Sequence, residues 1–164
     1  MGESRSIELA GRYYRQHPPG QYLGHAEEAL DLEVGRTVFL LVDVYGKGYD
    51  EDANLGDAPD MYKTAVQRNR DMVVNHIGPA KAAAKALRIP IIYLTNYLAP
   101  STNEQTEWRN MSIRTCDVDV LEAWQEPNDI LTHSRVIAPE PGDYLIKKQM
   151  YSGFFETHLD SLLR

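Results

Sequence analysis

Two charged positions of opposite sign stand at the ends of short apolar runs in this sequence. Asp43 directly follows the run of residues 37–42, and Lys147 and Lys148 close a run that starts at Tyr144. Open parallel sheets bind their ligands at the carboxyl ends of their strands, so charged residues there are candidates for chemistry. A carboxylate at such a position can exchange protons as a general acid or base. The sequence therefore predicts an active-site pair of a carboxylate and a lysine.

The composition indicates an ordinary globular protein with a small-molecule function. The chain has 164 residues, 43% of them hydrophobic and 25% charged, and a net charge of −7. This length fits one domain. An acidic chain is a poor match for nucleic acid and for anionic membranes, which both attract basic surfaces. The apolar runs are far shorter than the roughly 20 residues that span a bilayer, so we expect neither a nucleic-acid partner nor membrane insertion.

The cysteine count and the first residues favour a cytoplasmic location. Cys116 is the single cysteine and cannot form a disulfide within the chain. Unpaired cysteines are the rule in reducing compartments. Residues 1–12 are polar and charged and lack the apolar core of a secretory signal.

Apolar runs alternate with helical patterns along most of the chain. Continuous apolar runs are typical of strands buried on both faces, and strands that alternate with helices predict a parallel sheet with right-handed crossovers. The fold class is therefore α/β. Phe155, Leu159 and Leu162 should share the apolar face of the last helix. The predicted elements are strands at 37–42, 91–95 and 144–147, helices at 59–87 (interrupted at Pro79), 119–124 and 154–163, and a strand fragment at 135–137.

Residues 1–36 are predicted to form an N-terminal arm ahead of a domain of residues 37–164. The breaker pair Pro18-Pro19 makes the arm irregular, with a short helix near residues 26–30. Its aromatic residues suit either an interface with another subunit or packing on its own core, and they are Tyr13, Tyr14 and Tyr22.

Several motifs of the chain resemble one family. Leu41-Val42-Asp43-Val44 resembles the first strand of the isochorismatase-like cysteine hydrolases, and Tyr151-Ser152-Gly153-Phe154-Phe155 with its flanks resembles a later segment. The likeness is strongest to the ureidoacrylate amidohydrolase branch, with N-carbamoylsarcosine amidohydrolases and biuret hydrolases as similar relatives. It covers about residues 37–164 and implies a three-layer, doubly wound parallel sheet that is incomplete in this chain.

The resemblance implies an Asp-Lys-Cys triad. By matching of motifs, Asp43 is the triad acid and Lys148 the triad lysine, because the lysine should lie three residues before Tyr151. Lys147 is the rival assignment. The lysine would favour the thiolate form of the cysteine, and the acid would take the thiol proton and return it to the leaving ammonia. No cofactor is implied.

Three further residues match substrate-binding positions of the family: Asn96, Glu104 and Tyr151. Asn96 ends the second predicted strand, where it suits either the ureido group of a substrate or a turn cap. Glu107 is the alternative to Glu104 if the register of this loop slips.

The nucleophilic cysteine of the triad is expected about thirty residues beyond Lys148, one βαβ unit further on. Cys116 precedes the lysine and lacks the glycine-rich turn of a nucleophile, so it is predicted to be a small packing residue instead. The sequence is therefore expected to be the first part of an enzyme whose thiol comes from a truncated or cleaved segment or from a companion chain.

A zinc site of the nicotinamidase type is the main alternative to the triad, and the sequence disfavours it. Such a site needs an Asp-x-His pair and another histidine, and the loop in question has no such pair. We therefore expect no metal, and we expect a homo-oligomeric amidohydrolase that cleaves a C–N bond of a small ureido or carbamoyl compound. The alternatives are a vinyl-ether hydrolase of the isochorismatase type and a catalytically silent binding subunit.

Overall fold

The computed structural model of the chain describes residues 5–15, 24–46, 49–97, 107–123 and 131–164. Its strands are β1 (Ser6–Arg15), β2 (Gly24–Glu33), β3 (Phe39–Val42), β4 (Ile91–Asn96) and β5 (Tyr144–Lys148). Its helices are α1 (Asp60–Met72), α2 (Gly78–Ala86), α3 (Glu107–Cys116), α4 (Val120–Ala123) and α5 (Leu159–Leu163).

Strands β3, β4 and β5 form one parallel sheet in that order. Their apolar sequences fit burial on both faces, and Ile91, Ile92, Tyr93 and Leu94 of the central strand are each at most 3% exposed. The predicted α/β class with parallel strands is confirmed.

Helices cover both faces of this sheet. On one face, Ile91 and Tyr93 of β4 pack with Ala84 of α2. On the other face, Ile92 and Leu94 pack with Leu159 of α5. Because successive side chains of a strand point to opposite faces, one strand serves both cores. The result is three layers, as the resemblance implies.

The helical segment between β3 and β4 runs through Pro79 without a break. A π-helical stretch, Val73–Ile77, joins α1 to α2, and the proline lies in the first turn of α2. Proline lacks the N–H that an α-helical interior requires, and a wider π turn next to it accommodates the lost hydrogen bond. The predicted interruption is therefore a local widening.

The arm is ordered differently from the prediction. Strands β1 and β2 pair antiparallel, and Leu9 lies opposite Leu30. The prediction of an irregular arm with a helix near residues 26–30 is wrong, because pairing with β1 overrides the helix propensity of alanine and glutamate in β2. The boundary at residue 36 stays a prediction.

Two predicted elements differ in the second half of the chain. Arg135–Ile137 is a 3-10 turn rather than a strand fragment, and the hydroxyl of Ser134 accepts a hydrogen bond from the Val136 N–H at its start. The last helix begins at Leu159 rather than at residue 154.

Hydrogen bonds from side chains to the backbone shorten that last helix. Thr157 donates its hydroxyl to the Gly153 carbonyl, and the N–H of Phe154 donates to Ser152 Oγ at 3.2 Å. Serine and threonine offer the backbone such alternatives to a helix. Leu159 is fully buried as predicted, but Phe155 is 52% exposed and does not share its face.

Candidate active site

Three polar residues meet where the parallel strands end. Asp43 directly follows β3, Asn96 ends β4, and Lys148 ends β5. The sheet register pairs Asn96 with Lys148, and the Asp43 N–H donates to the Leu94 carbonyl at 3.0 Å. Parallel strands bring their carboxyl ends to one edge of a sheet, which is where such sheets bind ligands.

The ammonium group of Lys148 is the centre of this cluster. Its Nζ lies 3.0 Å from Asp43 Oδ2 and 2.6 Å from Asn96 Oδ1, and it donates to the Met150 carbonyl at 3.4 Å. The lysine side chain is only 1% exposed. Three acceptors for the three protons of an ammonium group offset the cost of burying it.

The alternation of side chains along β5 separates the two lysines. Lys147 points to the opposite face of the strand from Lys148, and its Nζ lies 5.2 Å from the centre of the Tyr97 ring. Lys148, and not Lys147, contacts Asp43 in this structure.

Asp43 has an unusual backbone conformation and a side chain that is partly exposed to solvent. Its φ is +56°, in the left-handed region that residues other than glycine rarely adopt. Such backbone strain is concentrated at functional sites. The Asp43 side chain is 41% exposed, so the carboxylate meets the buried lysine on one side and solvent on the other.

Tyr45 is a fourth member of the cluster that the sequence analysis missed. Its hydroxyl donates to Asp43 Oδ1 at 3.4 Å. Burial raises the pKa of Tyr45, and the negative charge of Asp43 raises it further, while hydrogen bonds from Asn96 oppose the rise. The phenol therefore keeps its proton at neutral pH. Its place two residues after the acid was the available signal, but the surrounding Gly and Asp residues indicated only a loop.

His133 packs behind Tyr45. The two rings meet edge to face with centres 6.3 Å apart, and His133 meets Tyr93 in the same way at 5.0 Å. Burial lowers the pKa of His133, and the nearby charge of Lys81 lowers it further. The imidazole is therefore neutral at neutral pH.

Lys81 connects this same region to helix α2. It is 4% exposed, and its Nζ donates to the Ala138 carbonyl at 2.6 Å and to Glu140 Oε1 at 2.9 Å. Although burial acts to lower it, the pKa of Lys81 is raised overall because Glu140 and Tyr93 interact with its ammonium. The ion pair holds the segment that carries His133 against α2.

Two of the remaining residues singled out from the sequence, Tyr151 and Glu107, lie on exposed surfaces. Tyr151 is 89% exposed. Glu104 lies outside the described residues. Its alternative, Glu107, begins α3 and pairs with Arg114 at 3.2 Å on an exposed surface.

Cys116 ends α3 as an exposed free cysteine rather than as a packing residue. Its Sγ lies 3.4 Å from the hydroxyl of Thr115. Within the described ranges, the side-chain contacts of Asp43 and Lys148 involve oxygen and nitrogen atoms and include no thiol.

Among the described residues, no group of three or more histidine, cysteine, aspartate or glutamate side chains is placed to hold a metal ion. In the same part of the chain, no helix has the length and apolar character needed to cross a membrane.

The sequence was compared with known proteins. No protein-family model matches the chain. A curated ureidoacrylate amidohydrolase from Pseudomonas savastanoi pv. phaseolicola is 29% identical to it over 168 residues, which cover 97% of this chain and 66% of that protein.

Two solved structures are similar in fold. A cysteine hydrolase from Pseudomonas syringae pv. phaseolicola superposes on this chain with a TM-score of 0.56 at 22% sequence identity. The superposed part covers 81% of this chain and 55% of the hydrolase. An isochorismatase family protein from Desulfovibrio vulgaris gives a TM-score of 0.52 at 17% sequence identity. The superposed part covers 79% of this chain and 61% of that protein. The chain thus spans between 55% and 66% of the length of these three proteins.

Proposed function

We propose that this chain, which has the isochorismatase-like fold and resembles ureidoacrylate amidohydrolases in sequence, is part of a cysteine-dependent hydrolase of C–N bonds. The substrate class is small ureido or carbamoyl compounds, with ureidoacrylate as the leading candidate. The observation that carries the proposal is the contact between the buried ammonium of Lys148 and the half-exposed carboxylate of Asp43. The resemblance assigns these two residues to the triad.

In this reaction a thiol attacks the ureido carbonyl carbon. Asp43 accepts the thiol proton, and the positive charge of Lys148 stabilises the thiolate and fixes the carboxylate beside it. The bond to the terminal nitrogen then breaks, and Asp43 returns the proton so that ammonia leaves. Water hydrolyses the thioester, and the carbamate that forms decomposes to carbon dioxide and the shortened amine.

We expect the substrate to approach Asp43 from its open side. Asn96 lies at that edge and binds Lys148 through Oδ1 at 2.6 Å, so it is the proposed substrate contact nearest the pair. Tyr151 and Glu104 are proposed as further pocket residues. Tyr151 follows Lys148 closely in sequence, and its exposed ring is accessible to a ligand.

We propose that the nucleophilic thiol belongs to sequence outside this chain. Cys116 is exposed at the end of α3, and the described contacts of Lys148 do not include it. The curated relative extends well beyond the part that the chain covers. Further residues of the same polypeptide or a companion chain would supply the cysteine.

The test is ammonia release by the intact protein purified from its source, with its mass measured first. Ureidoacrylate, biuret and a carbamoyl amino acid are the substrates, and we expect the fastest release from ureidoacrylate. Iodoacetamide treatment should abolish it, since alkylation removes the thiolate nucleophile. No ammonia from any of the three would contradict the proposal and favour a vinyl-ether hydrolase or a silent binding subunit.

We also propose a cytoplasmic homo-oligomer. The paired strands β1 and β2 leave Leu9 and Tyr14 47% and 60% exposed, and exposed aromatic and apolar residues suit an interface. Analytical ultracentrifugation of the intact protein tests this, and a monomer at micromolar concentration would contradict it.

A further inference from the structure

We propose that Tyr45 is a positioning residue that holds the carboxylate of Asp43 in one orientation toward Lys148. The inference rests on the proposed function, because orientation matters when Asp43 transfers a proton. It adds a residue that neither the sequence motifs nor the predicted triad include.

The two oxygens of Asp43 have different partners. Oδ2 lies 3.0 Å from Lys148 Nζ, and Oδ1 accepts a hydrogen bond from the Tyr45 hydroxyl at 3.4 Å. A carboxylate held at one oxygen can rotate about its bond to Cβ, whereas one held at both cannot. The Asp43 side chain is 41% exposed, so packing alone does not hold it.

Tyr45 can perform this role because packing against other aromatic rings holds its own ring in place. Its ring rests edge-on against His133, which rests against the fully buried ring of Tyr93. The Tyr93 hydroxyl in turn donates to the Ile137 carbonyl at 2.6 Å. The backbone is tied as well, since the Gly46 N–H donates to the Thr132 carbonyl at 3.1 Å.

The protonation states of Tyr45 and His133 favour a hydrogen bond from the Tyr45 hydroxyl to Asp43. The pKa of Tyr45 is raised by burial and by Asp43, so the hydroxyl keeps the proton that it donates. The pKa of His133 is lowered by burial and by Lys81, so the imidazole is neutral and does not draw the carboxylate away from Lys148. A phenol on a supported ring is thus a donor of fixed direction.

The test substitutes Tyr45→Phe in the intact protein, which keeps the ring on His133 and removes only the hydroxyl. Since a hydrogen bond to a charged group is at stake, we expect kcat to fall about tenfold, with KM within about twofold and little change in Tm. Tyr62→Phe is the matched control, because that tyrosine is 48% exposed on α1. An unchanged kcat would overturn the proposal, and so would a rise in KM alone, which would make Tyr45 a substrate contact.

A second readout needs no turnover. The ammonium protons of Lys148 exchange with water slowly while Asp43 and Asn96 hold them, and nitrogen-detected NMR follows that exchange. Tyr45→Phe should speed it about threefold or more, because a rotating carboxylate releases the ammonium more often. Unchanged exchange would overturn the role of Tyr45. If the intact wild-type protein is inactive but exchange is still faster in Tyr45→Phe, the result refutes the proposed function and leaves the role of Tyr45 standing.

Discussion

Removing the charge of Asp43 should destabilise the fold, because the buried ammonium of Lys148 would lose its negatively charged partner. The Lys148 side chain is 1% exposed, and that of Asp43 is 41% exposed. Breaking a fully buried ion pair costs about 3–5 kcal/mol. Water reaches Asp43 and screens the pair from that side, so for Asp43→Ala we expect a loss of about 1–3 kcal/mol in the free energy of unfolding.

A double-mutant cycle isolates the contribution of the pair. Lys148→Met places an apolar chain of similar length in the buried position, and in the double variant with Asp43→Ala neither charge remains to be stranded. We expect an interaction energy of about 1–2 kcal/mol. Urea unfolding followed by far-UV circular dichroism at neutral pH measures all four proteins.

Glu107 and Arg114 provide the matched control pair. They approach to 3.2 Å, but their side chains are 76% and 64% exposed. Exposed ion pairs contribute little, so the same cycle on this pair should give a much smaller interaction energy. A coupling between Asp43 and Lys148 no larger than that of the control would refute the reasoning from burial.

Three further predictions follow from single residues. Because the pKa of His133 is lowered from 6.5 by burial and by Lys81, the unfolded chain binds a proton that the folded chain does not. Stability should therefore fall as the pH drops below about 6.5, and the difference between urea midpoints at about pH 7.5 and about pH 5.5 should shrink in His133→Phe. Leu159→Ala should cost about 2–5 kcal/mol, measured by urea unfolding, because Leu159 is fully buried. Leu163→Ala, at a side chain that is 41% exposed, should cost much less, and equal losses would contradict the assigned core. Cys116→Ser should leave ammonia release by the intact protein unchanged, and a loss of activity would identify the exposed Cys116 as the nucleophile.

The strands of the central sheet could be predicted because their signal is local. Residues 91–95 form an apolar run between a helix end and polar residues, and β4 occupies Ile91–Asn96. The likeness to two solved structures confirms the fold class, and the 29% identity to a curated relative agrees with the resemblance read from the motifs. The meeting of Asp43 with Lys148 followed from the same reasoning, since parallel strands end at one edge.

The rest depended on contacts between distant residues. Helix formers in β2 adopt a strand because β1 pairs with them, and helix α3 was missed because residues 96–110 were interpreted only as a polar stretch. Tyr45 donates to Asp43, but its ring packs on His133, which is remote in sequence and has no motif of its own. Glu104 lies outside the described residues, so its proposed contact with substrate stays a prediction.

We propose that Asp43 and Lys148 serve a thiol in the hydrolysis of a ureido C–N bond. The most direct measurement is kcat for ammonia release from ureidoacrylate by the intact protein and by its Asp43→Asn and Lys148→Met variants. We expect losses of about 10²–10⁴-fold in both variants, with both still folded by circular dichroism. Folded variants that retain the wild-type rate would contradict it.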